Sequence, residues 1–218
     1  MRSISAKFRI NKMKFILGEK KEMTQIFDND GRVQPATIII ASPMTVTQVK
    51  STSTKDGYDA IQVGTGERKA KNLSKAVKGH TKELGNFKTL KEFKGKKGES
   101  LGLEKGAKID VSVFSAGDSV RVTSITKGKG FQGVVKRHGF HGGPRSHGQK
   151  HSEREPGSIG GGLRSKVPKG KRMAGRMGGI NATVMNLKVL QVIPETNEIL
   201  IRGSIPGRRG TMVEIREM

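Results

Sequence analysis

Residues 126–179 read TKGKGFQGVVKRHGFHGGPRSHGQKHSEREPGSIGGGLRSKVPKGKRMAGRMGG. From Lys127 to Gly179 this stretch holds thirteen of the 42 Lys and Arg residues of the chain and only two acids, Glu153 and Glu155. It also holds fifteen of the thirty glycines and four of the five histidines. Its few apolar residues do not recur at helix or strand spacing, so it cannot bury a core of its own. We therefore interpret residues 127–179, called the arm below, as an extension that acquires structure on nucleic acid.

The flanks of the arm predict strands that belong to one β domain. Apolar and polar residues alternate on both sides of it, which is typical of half-buried antiparallel strands. The predicted strands are 108–114 and 119–125 before the arm, and 182–193, 198–203 and 211–216 after it. Several short strands with turns between them indicate a closed barrel, because closure removes exposed sheet edges. The arm is then an excursion from the barrel rather than a tail.

The first third of the chain predicts a β meander followed by a small insertion. β-Branched runs at 36–40, 44–50 and 58–64 are separated by turn residues. From about Glu67 to Lys94 the pattern changes, and Leu73, Ala76 and Val77 stand at helical spacing. We interpret this part as a helical or α+β insertion whose lysines lie on a solvated face, with direct RNA contact as the alternative.

The predicted fold class is mainly β, a closed barrel with a small α+β insertion and a long irregular basic extension. Residues 1–12 are basic and free of acids, and they are interpreted as a flexible tail. The alternatives are an upstream start, with Met13 as the natural beginning, and a processed leader. The predicted divisions are 1–12, the tail; 13–66, the first part of the barrel; 67–98, the insertion; 99–126, barrel strands; 127–179, the arm; and 180–218, closing barrel strands.

Composition excludes several classes of function. A net charge of +23 calls for a polyanionic partner. The absence of cysteine excludes disulfides, thiolate zinc sites and cysteine nucleophiles. The segment KGKGF at 127–131 is not followed by the GK[ST] of a nucleotide-binding loop. We expect no membrane association, no small-molecule substrate, no metal and no cofactor.

Four histidines leave two hypotheses open. His138, His141, His147 and His151 either contact RNA bases and riboses, or His147 and His151 bind zinc together with Glu153. The second hypothesis implies a metal-dependent enzyme. We favour the first, because a zinc site needs a rigid, supported scaffold that this glycine-rich stretch does not offer.

The cationic side chains of the arm are the predicted RNA contacts. Arginine binds phosphate bidentately and also stacks on bases, whereas lysine supplies diffuse charge. The predicted RNA-binding residues are Lys127, Lys129, Lys136, Arg137, His138, Arg145, His147, Lys150, His151, Arg154, Arg164, Lys166, Lys169, Lys171, Arg172 and Arg176.

Three segments in this order resemble a known family. SITKGKGFQGVVKRHGF at 124–140, HSEREPGSIG at 151–160 and KGKRMAGRMGG at 169–179 are similar to the third protein of the large ribosomal subunit in its bacterial-type form. GEKKEMTQIF at 18–27 is similar as well, and the resemblance covers about residues 13–218.

The resemblance implies a fold, partners and a location. The fold is a barrel like the second domain of translation elongation factors, and the function is that of a non-enzymatic structural protein. The partners are large-subunit rRNA, bound early in assembly, and neighbouring ribosomal proteins. Cytoplasmic ribosomes are expected, with organellar ribosomes or a nucleic-acid-binding role off the ribosome as alternatives. The arm would approach the peptidyl transferase centre, with its tip formed by Pro156, Gly157, Ser158, Ile159, Gly160 and Gly161.

The chain departs from the family pattern at four places. Gly161 stands where many bacterial members carry a glutamine that becomes methylated, so that modification is not expected here. Arg121 replaces the usual Asp or Asn, and Glu22 replaces a glycine. Residues between Phe140 and His151 have a composition of their own.

Overall fold

The structure is a computed structural model that describes residues 14–28, 30–53, 56–82, 84–95, 102–162 and 165–218. The strands of this described part are β1 Phe15–Phe27, β2 Val33–Ile40, β3 Met44–Lys50, β4 Ala60–Glu67, β5 Phe87–Lys94, β6 Lys108–Ile109, β7 Ser119–Ile125, β8 Phe131–Gln132, β9 Gly175–Arg176, β10 Asn181–Ile193, β11 Glu198–Arg202 and β12 Met212–Glu217. The helices are α1 Lys75–His80 and α2 Val134–His138, with 3₁₀ turns at Ala70–Asn72, Val111–Val113 and Ser152–Arg154.

Six strands close an antiparallel barrel in the order β1-β12-β7-β10-β11-β2. β1 pairs with β12 through Phe15↔Arg216 and with β2 through Phe27↔Val33, so the barrel has no open edge. β10 and β11 form the predicted hairpin across the turn that ends at Asn197. The prediction of a mainly β fold with a closed barrel is confirmed.

A second sheet has the order β5-β4-β3-β6. β3 and β4 therefore do not continue the barrel, although the sequence analysis assigned the whole of 13–66 to it. β5 lies in the stretch interpreted as an insertion, and it pairs with β4 over seven residue pairs from Ala60↔Lys94 to Glu67↔Phe87. The predicted meander is thus divided between two sheets at Ser42–Pro43. The sequence did not reveal this division, because these strands differ only in their pairing partners.

The strand predicted at 108–114 is wrong beyond Ile109. β6 ends there, and Val111–Val113 form a 3₁₀ turn. In such a turn residues three apart lie on the same side, so Val111 and Phe114 are both buried while Val113 is exposed. The turn therefore buries two apolar side chains in the core without the alternation of buried and exposed residues that a strand would show.

One hydrophobic cluster connects the barrel with the second sheet. Val120 and Val122 of β7 point into it, and Ile61 and Val63 of β4 enter from the other sheet. Phe15 of β1 and Phe93 of β5 stack with ring centroids 4.1 Å apart. Burial of apolar side chains from both sheets in one cluster makes the barrel and the sheet a single cooperative core.

The chain divides into two compact units, one of residues up to 125 together with 182–218 and the other of residues 126–181. The strands that flank the second unit, β7 and β10, are neighbours in the barrel. The chain therefore leaves the barrel and re-enters it at adjacent strands.

An ion-pair cluster joins three strand ends of the barrel. The Lys14 Nζ lies 2.7 Å from Asp118 Oδ2 and 3.4 Å from Glu217 Oε1. The Ser115 N–H also donates to Asp118 Oδ2 at 3.0 Å. Burial by itself raises the pKa of Asp118, but the hydrogen bonds from Lys14 and Ser115 outweigh it and hold that pKa below its ordinary value.

Replacing Asp118 with Asn is expected to lower the free energy of unfolding at neutral pH by about 1 kcal/mol or less. The pKa of Asp118 is lower in the folded protein, so its stabilisation is present above the unfolded value of about 4 and is lost as the pH falls through the folded pKa. Urea unfolding at about pH 7 and about pH 3 should show a difference between the two proteins that shrinks on acidification. A difference that grows on acidification would contradict the assignment.

Candidate nucleic-acid interface

The two ends of the arm form a hydrogen-bonded neck, defined here as residues 126–132 and 175–180. The Thr126 N–H donates to the Ile180 carbonyl at 2.9 Å, and the Lys129 N–H donates to the Met177 carbonyl at 2.9 Å. Beyond these bonds β8 pairs with β9, with Phe131 opposite Arg176. The neck is therefore an antiparallel ribbon held by main-chain hydrogen bonds, with a ladder of two residue pairs at its far end.

Gly178 allows the two sides of the neck to approach each other. Its φ is +74°, a left-handed conformation that favours glycine, and a Cβ atom there would lie 2.2 Å from the Lys127 carbonyl oxygen. Any side chain at this position would push the two backbones apart. Gly178 of the KGKRMAGRMGG segment thus has a structural role at this point.

Helix α2 follows the neck and clamps the returning chain. It ends at Gly139, whose left-handed φ of 73° closes the last turn. The Arg137 Nη1 donates to the Met173 carbonyl at 2.8 Å, and the His138 Nε2 lies 3.0 Å from the same oxygen. Two of the predicted RNA-binding residues are therefore half-buried and engaged inside the arm.

A further contact joins the two limbs around Glu153. The Gly143 N–H donates to the Glu153 carbonyl at 3.0 Å, and the Arg145 Nε donates to Glu153 Oε1 at 2.7 Å. In the described part of the arm, Arg145 is the only predicted contact residue that forms an ion pair with a carboxylate. One of the two acids is thereby used to hold the arm together.

The other predicted contact residues of the described arm are exposed and lack a carboxylate within ion-pair distance. Each points its charge or ring at solvent, where a phosphate or base can reach it. They are Lys127, Lys129, Lys136, His147, Lys150, His151, Arg154, Lys166, Lys169, Lys171, Arg172 and Arg176. Arg164 lies outside the described residues.

An open cleft of about 500 Å³ brings several of the predicted residues together. Its lining includes His138, Phe140, His141, Pro156 and Arg172. It therefore joins the helical side of the arm to the PGSIG segment. Aromatic rings, an arginine and exposed backbone are the groups that take up bases and phosphates.

The residues predicted at the arm tip form an exposed segment without regular structure. Pro156 to Gly161 are all exposed, and Ile159 keeps 39% of its surface accessible. The Ser158 hydroxyl donates to the Gly160 carbonyl at 2.7 Å and stabilises the turn. The segment presents mostly small side chains and exposed backbone.

The hypothesis of a zinc site finds no support in the described residues. No group of three or more His, Cys, Asp or Glu side chains in them is placed to hold a metal ion, and His147, His151 and Glu153 are no exception. The same part of the chain contains no helix long and apolar enough to cross a membrane.

Sequence reasoning missed the internal order of the arm and one of its side chains. The neck and the α2 clamp use main-chain carbonyls, which leave no signal in a sequence. Phe131 is 76% exposed in the neck, yet it was not among the predicted contacts. The available signal was an aromatic residue directly after the basic, glycine-rich segment 127–130, in a stretch without helix or strand periodicity.

Comparisons with known proteins show which family the chain belongs to. The family model of ribosomal protein L3 matches residues 100–199. The large ribosomal subunit protein uL3 of Chlorobaculum tepidum is 49% identical over 202 residues, covering 92% of this chain and 96% of the relative. The protein of the same name from Streptococcus pyogenes serotype M1 is 47% identical over 205 residues, covering 93% and 96%.

Proposed function

Because the chain belongs to the ribosomal protein L3 family, whose members are structural components of the ribosome and not enzymes, we propose that it binds large-subunit rRNA through its arm. The proposal includes a role in early assembly of the large subunit and an arm directed toward the peptidyl transferase centre. It also places the chain on cytoplasmic ribosomes, next to other ribosomal proteins.

The observation that carries this proposal is the exposed and unpaired charge of the arm. Thirteen Lys and Arg residues face two acids in residues 127–179, and one of those acids is already paired with Arg145. Like charges at this density repel one another until a polyanion neutralises them. RNA backbone supplies that charge, and guanidinium groups add bidentate phosphate contacts.

The mechanism we propose is anchoring followed by insertion. The closed barrel provides a rigid support from which the chain departs at two adjacent strands. The neck holds the two limbs of the arm together by main-chain hydrogen bonds, so the limbs enter RNA as a pair. Peptide-bond chemistry at the centre belongs to RNA in this proposal, and the arm shapes it by locking RNA segments in place.

Length and side-chain size support an approach to a crowded RNA interior. Fifty-three residues folded back as two limbs extend on the order of 80 Å at full stretch. The exposed segment from Pro156 to Gly161 contains three glycines and a serine, which let RNA approach the backbone closely.

Co-sedimentation with large subunits in high salt tests the proposal. The full chain is expected to remain with the subunits after a high-salt wash. A variant in which a short Gly-Ser turn replaces residues 133–174, with the neck retained, is expected to dissociate. Release of the full chain under the same conditions, with binding to free RNA intact, would instead favour a nucleic-acid-binding role off the ribosome.

A further inference from the structure

Phe131 is an exposed aromatic side chain on the hydrogen-bonded ribbon of the neck. At 76% exposure it is the most exposed large hydrophobic side chain of the described residues. Within that part of the chain no aromatic ring or cation stacks on it, so none competes with a ligand for its faces. The ring adds little to the core, and its apolar surface is available to a binding partner.

The backbone under Phe131 is held by several hydrogen bonds. The Lys129 N–H donates to the Met177 carbonyl, and the Met177 N–H donates to the Gly130 carbonyl at 2.9 Å. The Gln132 side-chain amide also donates to the Lys129 carbonyl. The ring is therefore presented from a preorganised backbone, which reduces the entropy lost when it binds.

The surroundings of Phe131 select a nucleic acid. Arg176 lies directly opposite it in the β8–β9 ladder, and side chains of such pairs have Cβ atoms about 4.5–5.5 Å apart. Lys127 and Lys129 precede it, and the neck contains no acid at all. An aromatic ring among three cations fits a base next to its phosphate better than it fits an apolar protein surface.

We propose that the Phe131 ring stacks on an unpaired nucleobase of the bound rRNA, while the Arg176 guanidinium binds a neighbouring phosphate. This inference rests on the proposed function and adds a base-stacking site to an arm otherwise engaged through charge. Stacking on Phe depends little on base identity, so the site fixes the position of the arm rather than reading a sequence. Duplex RNA does not satisfy it, because paired bases are already stacked.

A tryptophan probe tests the stacking directly. The chain has no Trp, so Phe131→Trp introduces a single indole whose fluorescence reports on its own contacts. On titration with a large-subunit rRNA transcript, this fluorescence is expected to be quenched to saturation. The control is Phe27→Trp, at an exposed Phe of β1 that is 63% accessible. Equal quenching of both probes would overturn the proposal.

Affinity measurements separate stacking from charge. Phe131→Ala is expected to weaken binding of the transcript about 5- to 150-fold without changing its salt dependence, whereas Phe131→Trp should bind like the native chain. Arg176→Ala should lower the slope of log affinity against log salt by about 0.7–0.9. Phe131→Leu should be as weak as Phe131→Ala, and native affinity in Phe131→Leu would contradict stacking.

Two outcomes distinguish this inference from the function on which it rests. Native protein that does not bind the transcript would overturn the proposed function itself. Native protein that binds, with Phe131→Ala binding equally well, would overturn the stacking site alone. Hydrogen exchange of the Lys129 and Met177 amides shows whether the neck is intact in each variant. Weaker binding by a variant whose amides stay protected supports the stacking site. Weaker binding by a variant whose amides lose protection is explained by a lost neck and contradicts the stacking site.

Discussion

Raising monovalent salt from about 50 to about 200 mM is expected to weaken binding of the chain to large-subunit rRNA by about 10³- to 10⁵-fold. That range applies to six to ten neutralised phosphates, each of which returns condensed counterions to the RNA when the contact is lost. The described arm exposes enough unpaired cations to supply contacts of this number. Filter binding or anisotropy at several salt concentrations gives the slope.

A variant of four arm lysines locates the source of this dependence. Glutamine at Lys150, Lys166, Lys169 and Lys171 removes four exposed charges outside the neck and the clamp. The slope is expected to fall by roughly 0.7–0.9 for each of these lysines that contacts a phosphate. Stability should change little, because none of the four has a side-chain partner in the described structure that the substitution would remove.

The matched control carries the same change in charge on the other compact unit. Lys71, Lys75, Lys78 and Lys82 are exposed around α1 and were interpreted as a solvated face. Their replacement by glutamine is expected to leave the slope near the native value. Equal slopes in the two quadruple variants would mean that net charge alone drives binding, and the assignment to the arm would be wrong.

Local sequence patterns were sufficient to predict the barrel strands that come after the second sheet in the chain. β7, the β10–β11 hairpin and β12 alternate in sequence and pair as neighbours, so period and turn residues predicted them. The division of the first strands between two sheets was missed, because β2 and β3 carry the same β-branched signal. Only long-range pairing, of β2 with β1 and β11 and of β3 with β4 and β6, separates them.

The candidate interface likewise has features that composition predicted and features that only the fold determines. Composition indicated that most cationic side chains of the arm are exposed, because Lys and Arg are rarely buried and this stretch has no core of its own. It did not predict that Arg137 and His138 would bind a carbonyl of the returning limb. Main-chain acceptors occur at every residue, and the fold decides which of them a side chain reaches.

Glu22, one of the departures from the family pattern, shows how such a change is compensated. Its carboxylate pairs with the Arg209 guanidinium, whose Nε also donates to the Lys21 carbonyl at 3.0 Å. The negative charge of Glu22 is thus neutralised by an arginine of the same chain. A sequence without an alignment cannot reveal this partner, because 187 positions separate the two residues.

Replacing Phe93 with Ala is expected to lower the free energy of unfolding of the barrel unit by about 3–5 kcal/mol. Phe93 is fully buried, stacks on Phe15 of the barrel, and has the Arg216 guanidinium 4.8 Å from its ring centroid. The substitution removes apolar contacts, an aromatic pair and a cation–π contact at the point where the second sheet meets the barrel. Urea unfolding followed by circular dichroism measures the change.

Two further variants make this result decisive. Phe131→Ala removes the same side chain from an exposed position and should change stability by about 0.5 kcal/mol or less. Phe93→Leu keeps most of the apolar volume but also loses the two ring contacts, so it should cost less than Phe93→Ala and keeps the test possible if Phe93→Ala does not fold. A cost below about 1 kcal/mol for Phe93→Ala would mean that the two sheets do not share a core. In that case they would also unfold in separate transitions, whereas a shared core requires a single one.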